Sequence, residues 1–306
     1  MIDFIDFIFR FKMKNFDSFR ISGCFVDYSR AEVVILPISY ERTVTWKKGT
    51  SKGPEAIIEA FLNMELYDDE LDMNTHEVGL CLFDRINLNN KEPEEAISEI
   101  EKIMGDIIRD DKFPIILGGE HSVSIGAVKA LKDRYVELSV LQLDAHADLR
   151  EEYYGSMYNH ACVMSRIREF TDAVQVGIRS LSNDEMRIIR DGNYEDKIFW
   201  ARDIYNNRKW FESAINKLSG DVYITIDLDV FDPSIMPATG TPEPGGMDWY
   251  LIMEFLREVC GKRNIVGFDI VELSPLNEYY ASNFLAAKLM YKLVGYVFLK
   301  SLRNAK

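Results

Sequence analysis

The segment Asp144-Ala145-His146-Ala147-Asp148 follows directly on a largely apolar run at 136–143. Side chains alternate between the two faces of an extended strand, so Asp144, His146 and Asp148 leave the strand end on the same side. Carboxylates and imidazoles are ligands for divalent transition metals. The spacing therefore predicts a metal site at the end of this strand.

Two other strand ends carry the same residue types. The apolar run 222–226 ends in Asp227-Leu228-Asp229, and the run 113–117 is followed by Gly118-Gly119-Glu120-His121. A cluster of buried carboxylates is costly unless a cation is present. The number of ligands exceeds what one tetrahedral ion uses, which favours two ions, of Mn, Zn or Fe rather than Ca. The candidate ligands are His121, Asp144, His146, Asp148, Asp227 and Asp229.

The histidines of the chain are concentrated around these segments. Of the four histidines, His121, His146 and His160 lie in or near the candidate site. His76 lies elsewhere, and we interpret it as a packing or surface residue. This concentration supports a functional cluster rather than three unrelated side chains.

Apolar runs alternate with helical patterns along the chain, which predicts an α/β fold. Strands that are continuously apolar indicate a parallel sheet covered on both faces, and such sheets bind ligands at the carboxyl ends of their strands. Each candidate ligand segment follows such an end. The predicted strands are 33–37, 115–117, 136–143, 173–178, 197–200, 222–226 and 265–270, and the helical patterns include 93–109 and 249–260.

The three ligand segments resemble the signatures of the ureohydrolases, the arginase and agmatinase superfamily. Three further stretches, 49–57, 239–246 and 271–275, are similar to other elements of that superfamily. The resemblance runs from about residue 33 to residue 295. It implies an arginase-like fold, a three-layer α/β/α sandwich around a central parallel sheet of eight strands.

The resemblance also implies the role of each site residue. It implies two manganese ions per chain, which activate a water molecule that hydrolyses a guanidinium group to urea and an amine. Glu272 resembles the carboxylate that binds the guanidinium, and His160, as proton shuttle, and Asp148 are the implied catalytic residues. One ion would be held by His121, Asp144, Asp148 and Asp227, and the other by Asp144, His146, Asp227 and Asp229.

Two departures from the superfamily bear on the substrate. Ala161 follows His160 where glycine is usual, which leaves the shuttle role of His160 less secure. Met157 and Tyr158 replace part of the polar set that precedes this histidine in arginases, which favours agmatine, converted to putrescine, over arginine. Aminopropylagmatine, a guanidino acid, formiminoglutamate and arginine remain alternatives, as does a metal-binding homologue without turnover. The paired histidines of the related deacetylases are missing from the sequence.

Composition sets the remaining expectations. Fifty acidic against 36 basic residues give a net charge of −14, which disfavours nucleic-acid binding. Scattered cysteines and the acidic start predict a cytoplasmic protein with reduced thiols. We expect one domain over 1–306, with 1–12 as a possible extension. We expect the apolar stretch 284–299 to be a packed helix and not a membrane span, and the resemblance favours a homo-oligomer, a trimer or hexamer.

Overall fold

A parallel sheet forms the centre of the computed structural model, which describes residues 24–304. The possible extension 1–12 lies outside these residues. In chain order the strands are β1 (Val33–Ser39), β2 (Tyr67–Asp68), β3 (Met73–Asn74), β4 (Leu80–Leu82), β5 (Ile86–Asn87), β6 (Phe113–Gly118), β7 (Leu138–Leu143), β8 (Asp172–Ile178), β9 (Ile198–Trp200), β10 (Asp221–Asp227) and β11 (Asn264–Val271). The helices are α1 (Gly53–Phe61), α2 (Pro93–Arg109), α3 (Val123–Arg134), α4 (Val163–Arg168), α5 (Asn183–Asp191), α6 (Ala201–Ile204), α7 (Lys209–Asn216), α8 (Trp249–Lys262) and α9 (Ala281–Asn304).

The strand order of the central sheet is β4-β1-β6-β11-β10-β7-β8-β9, and every pairing in it is parallel. Strand β5 pairs with the same edge of β1 as β4 does, one after the other along the strand. The sheet is therefore eight strands wide, as the resemblance implies. Strand β7 begins at Leu138 and not at Val136, which is 79% exposed.

The sheet separates two apolar cores, which makes the fold a three-layer sandwich. Alternate residues of β1 serve different cores, with Val33 and Ile35 in one and Val34 and Leu36 in the other. The first core is completed mainly by α1, α7, α8 and α9, and the second by α2, α3 and α4. Because both faces of the strands are covered, their sequences are apolar at nearly every position.

The helix boundaries follow from local signals. Helix α2 has proline in its first turn and a capping box formed by Glu92 and Glu95, and it spans the predicted 93–109. Helix α8 is capped by Asp248 and ends two residues beyond the predicted Cys260. The predicted C-terminal helix lies within α9, which packs against the first core. Within residues 24–304 no helix is both long enough and apolar enough to cross a membrane.

Candidate metal centre

Four neighbouring strands of the sheet, in the order β6-β11-β10-β7, bring the candidate site together. Because they are parallel, their carboxyl ends meet at one edge. His121 follows β6, Asp144 follows β7, Asp227 ends β10, and Glu272 follows β11. The residues predicted from separate sequence motifs are therefore neighbours in space.

The first group of potential ligands surrounds Nδ1 of His121. This atom lies 3.0 Å from Oδ2 of Asp148, 3.2 Å from Oδ2 of Asp144 and 3.6 Å from Oδ2 of Asp227. All four side chains are buried. Three of them, His121, Asp144 and Asp148, place ligand atoms close enough together to hold a metal ion.

A second group adjoins the first through Asp144. Nδ1 of His146 lies 2.8 Å from Oδ2 of Asp229 and 3.6 Å from Oδ1 of Asp144, and these three residues also form a potential metal site. Asp144 thus uses one oxygen toward each group, as a bridging carboxylate does. Asp227 lies beside the first group and accepts a hydrogen bond from the backbone N–H of Asp229 at 2.9 Å. Its second bridging role stays a prediction.

The electrostatics of the cluster favour a bound cation. Burial, together with the charge of Asp144, raises the pKa of Asp148 to about 7. Burial and the charges of Asp229 and Asp144 raise the pKa of Asp227 well above its usual value. Burial lowers the pKa of His121, but the neighbouring carboxylates outweigh it and raise that pKa well above the ordinary histidine value. A divalent ion would remove this repulsion among the carboxylates.

His121 is oriented for metal binding by a buried polar chain behind it. Its Nε2 lies 2.9 Å from Oγ1 of Thr225, which donates its hydroxyl proton to Oδ1 of Asp269 at 2.6 Å. Since that proton is used, Thr225 accepts from Nε2–H, and Nδ1 keeps its lone pair. Nδ1 is buried without a hydrogen-bond partner among the described residues and faces the carboxylates. The residues present therefore fit a metal ion.

Asp144 is held by buried amides from β7, which it follows, and from the neighbouring β8. Nε2 of Gln142 donates to Oδ2 of Asp144 at 2.7 Å, and Nε2 of Gln175 donates to Oε1 of Gln142 at 2.5 Å. Nη2 of Arg168 in turn donates to Oε1 of Gln175 at 3.2 Å. This series of hydrogen bonds restricts the orientation of the Asp144 carboxylate, which the two groups of potential ligands share.

Two residues of the site have a left-handed backbone that side chains rarely adopt. The φ angle is 52° at Asp148 and 66° at Glu272. Such conformations cost free energy and cluster at functional sites, where the surrounding structure enforces them. Burial and the charge of Glu120 raise the pKa of Glu272 to about 8. The fold thus places a strained, half-buried carboxyl group beside the His/Asp cluster.

A cavity of about 270 Å³ opens onto the cluster. His160, Ala161 and Glu272 line this cavity, together with four of the candidate metal ligands. The turn that carries His160 and Ala161 is capped by Asn159, which accepts from the N–H of Ala161 at 3.0 Å. His160 thus lines the cavity although alanine and not glycine follows it. Burial, followed by the charges of His146 and His121, lowers the pKa of His160 to about 4.

The structure corrects the interpretation of Met157 and Tyr158. Met157 is 45% exposed, and the ring of Tyr158 packs under Nζ of Lys129. The 151–159 segment lines the cavity with Tyr153 instead, which is joined to Ser156 by two backbone hydrogen bonds. The substrate preference therefore cannot be argued from Met157 and Tyr158.

Sequence reasoning missed the residues that support the ligands. Gln142 and Thr225 each stand two positions before an aspartate ligand, on the same face of an otherwise apolar strand. A polar residue at that spacing is a usable signal. Thr43 and Asp269 come from distant parts of the chain, and their local sequence gives no such sign. His76, predicted to be a packing or surface residue, contacts Tyr291 of α9.

The fold and the site define an α/β hydrolytic enzyme with a candidate metal centre. The model of the arginase family matches residues 31–295. The chain therefore belongs to the arginase family, within the ureohydrolase superfamily.

Relatives and solved structures agree with this membership. The chain is 38% identical to the N(1)-aminopropylagmatine ureohydrolase of Synechocystis sp., over 91% of this chain and 93% of that protein. It is 33% identical to the agmatinase of Pyrococcus horikoshii, over 92% and 97% of the two chains. The agmatine ureohydrolase of Thermoplasma volcanium superposes with a TM-score of 0.82 at 30% identity, covering 94% of this chain and 97% of that one.

Proposed function

We propose that the chain hydrolyses the terminal guanidinium group of a small linear substrate to urea and an amine, with agmatine as first choice and putrescine as its product. One observation carries the proposal: the half-buried Glu272 carboxyl group and the His/Asp cluster face the same small cavity. A guanidinium fork matches a carboxylate by two parallel N–H bonds. Bound there, its carbon would lie next to the cluster.

In this proposal each residue of the site has a separate role. Glu272 binds and orients the guanidinium, while the candidate ligands would hold two divalent ions, manganese by family resemblance. When bound, such ions supply Lewis-acid activation of a water molecule. Asp148, at the cavity wall, accepts a hydrogen bond from the attacking water. His160 takes up the proton that the attacking water loses and transfers it to the departing amine, which must be protonated to leave.

The choice of substrate rests on relatives. Proteins 38% and 33% identical to this chain bear the names aminopropylagmatine ureohydrolase and agmatinase. Both names describe guanidines without an α-carboxylate. Aminopropylagmatine, which extends agmatine at its amine, is therefore the first alternative within the same reaction.

A guanidino acid is the second candidate, because two cationic side chains line the cavity. Arg150 and Lys47 both belong to its wall. Either cation would attract a carboxylate at the far end of a substrate. Arg150, however, lies 3.9 Å from Oε2 of Glu185 and stacks on Tyr153, so part of its charge is already matched.

Urea release over a panel of guanidines tests the proposal. The manganese-loaded full chain should release urea from agmatine or aminopropylagmatine, more slowly from 4-guanidinobutyrate, and least from arginine. An Asp144→Asn variant, which alters the shared ligand, is the matched inactive control. No urea from any of the four compounds would contradict the proposed function and favour a metal-binding homologue without turnover.

We further propose that the chain forms a homo-oligomer in the cytoplasm, in keeping with the family resemblance. Analytical ultracentrifugation of the full chain gives its mass directly. A sedimenting mass of one chain at micromolar concentration would contradict the oligomer.

A further inference from the structure

Thr43 connects the candidate proton shuttle to a buried carboxylate that the proposed reaction leaves without a role. Its Oγ1 lies 3.1 Å from the backbone N–H of His160 and 3.2 Å from Nδ1 of the same residue. On its other side Oγ1 lies 2.6 Å from Oε1 of Glu120. One hydroxyl therefore touches three polar groups at once.

Glu120 is fully buried and surrounded by donors. Its Oε2 accepts from the backbone N–H groups of Arg42 and Thr43, both at 2.7 Å. Its Oε1 accepts from the hydroxyls of Thr43 at 2.6 Å and Ser122 at 2.5 Å. Every lone-pair direction of an ionised carboxylate is filled, so Glu120 takes the single hydroxyl proton of Thr43.

An oxygen that has given its proton away can only accept. The backbone N–H of His160 donates to one lone pair of Thr43 Oγ1. A hydrogen bond between Nδ1 and the other lone pair then requires that Nδ1 carries a proton and donates it. We propose that Glu120, acting through Thr43, holds His160 as the Nδ1–H tautomer and leaves Nε2 free to exchange protons in the cavity. The tautomer follows from hydrogen-bond geometry, while its use in proton transfer rests on the proposed function.

A similar arrangement of carboxylate, threonine and histidine lies behind His121, but there it fixes the proton on the other ring nitrogen. There Asp269 takes the proton of Thr225, whose oxygen then fixes Nε2–H and leaves Nδ1 free. In both cases a buried carboxylate and a threonine select the nitrogen that faces the site. Glu120 and Thr43 are thus positioning residues, because they reach the cavity only through His160.

Nitrogen-15 spectroscopy of the histidine rings reads the tautomer directly. The full chain is labelled at its histidines and measured metal-free and with diamagnetic Zn²⁺, with the His160 signals assigned from a His160→Gln variant. The protonated and unprotonated nitrogens of a neutral ring resonate far apart. Since the pKa of His160 is lowered to about 4, its ring is neutral near pH 7. We expect the proton on Nδ1.

Substitution of Glu120 by Gln should reverse the direction of the hydrogen bonds that run from His160 through Thr43 to residue 120. The amide oxygen must face the two backbone N–H groups, so the amide nitrogen faces Thr43 and donates to it. Thr43 then donates to Nδ1, and the proton of His160 moves to Nε2. Thr43→Ser keeps the hydroxyl and should keep Nδ1–H. Ser122→Ala, which removes the other hydroxyl on Oε1, is the matched control and should leave the tautomer unchanged.

Activity gives the second readout. Thr43→Val should lower kcat about 10- to 100-fold with a smaller change in KM, and Thr43→Ser should restore most of it. A proton on Nε2 in the parent chain, or an unchanged tautomer in both Glu120→Gln and Thr43→Val, would overturn the inference. Absence of urea release in the parent would contradict the proposed function alone, because the tautomer is measured without substrate.

Discussion

The backbone N–H of His121 donates to Oε1 of Glu272 at 2.7 Å, although the two residues are 151 positions apart. The N–H of Glu272 returns a bond to the carbonyl of Gly119 at 2.8 Å. These bonds join the end of β6 to the end of β11. A candidate metal ligand and the carboxylate proposed to bind the guanidinium are therefore held as one unit.

Substitution of Glu272 by Gln should separate substrate binding from metal binding. The amide keeps the shape of the side chain and can still accept from His121, but it cannot ionise, as the carboxyl group does when a bound cation lowers its pKa. We expect kcat/KM for agmatine to fall by about 100-fold or more, with unchanged metal content. Steady-state urea release and elemental analysis measure the two quantities. Parent-like kinetics would show that Glu272 does not bind the substrate.

Asp144 and Asp229 should differ in their effect on metal stoichiometry. Asp144 faces both groups of potential ligands, whereas Asp229 belongs to one. The parent chain should bind two manganese ions, Asp144→Ala should lose both, and Asp229→Ala should keep one of them. Elemental analysis after dialysis decides the matter. Equal losses in the two variants would contradict a shared role for Asp144.

Much of this site could be predicted because its ligands stand directly after apolar strands. Asp144, His146 and Asp148 follow within five residues of the end of β7, and Asp227 ends β10. The parallel sheet then brings these residues together, since the carboxyl ends of its strands all lie at one edge. Local pattern and topology were sufficient for these residues.

The supporting residues could not be predicted in the same way. Thr43 meets His160 across 117 positions, and Thr225 meets His121 across 104. The sequence around Thr43 does not distinguish it from an ordinary polar residue, whereas Thr225 stands two positions before Asp227 and could have been recognised from that spacing. Which residues line the cavity depends equally on loop conformation, and neither Met157 nor Tyr158 is among the lining residues.

His160 should be dispensable for metal binding. Its ring lines the cavity but belongs to neither group of potential ligands. We expect His160→Ala to retain the parent's metal content while turnover falls about 10²- to 10⁴-fold. Metal analysis and urea release on the same preparation provide the comparison. Loss of metal in this variant would instead make His160 a ligand.

The buried Lys292 of α9 predicts a pH-dependent contribution to stability. Its Nζ lies 3.0 Å from Oδ1 of Asp68 and 2.5 Å from Oε2 of Glu70. Burial alone would raise the pKa of Glu70, but bonds from Lys292 and Tyr296 outweigh it and lower that pKa. A carboxyl group with a lowered pKa stabilises the fold above its unfolded value of about 4.3, and this stability is lost as pH falls through the folded value.

Glu70→Gln should therefore reduce the free energy of unfolding at pH 7, and its difference from the parent should narrow as pH falls below about 4. Lys292→Met should destabilise more, by about 3–5 kcal/mol, because it leaves Asp68 buried without its cation. Urea denaturation across pH measures both. The nearby exposed Glu65→Gln is the control and should change little. If the difference in the free energy of unfolding between Glu70→Gln and the parent did not change with pH, the ionised Glu70 carboxylate would not be the source of this stability.

Arginine should be a poor substrate compared with agmatine. Arg150, one of the two cations in the cavity wall, stacks on Tyr153 at 4.5 Å and lies 3.9 Å from Glu185, so its charge is already partly matched before an α-carboxylate arrives. An unpaired group costs about 1–3 kcal/mol, and we expect kcat/KM for agmatine to exceed that for arginine by about 100-fold. Arg150→Gln should leave this ratio nearly unchanged. A preference for arginine or 4-guanidinobutyrate that disappears in Arg150→Gln would instead assign Arg150 to carboxylate recognition and make the natural substrate a guanidino acid.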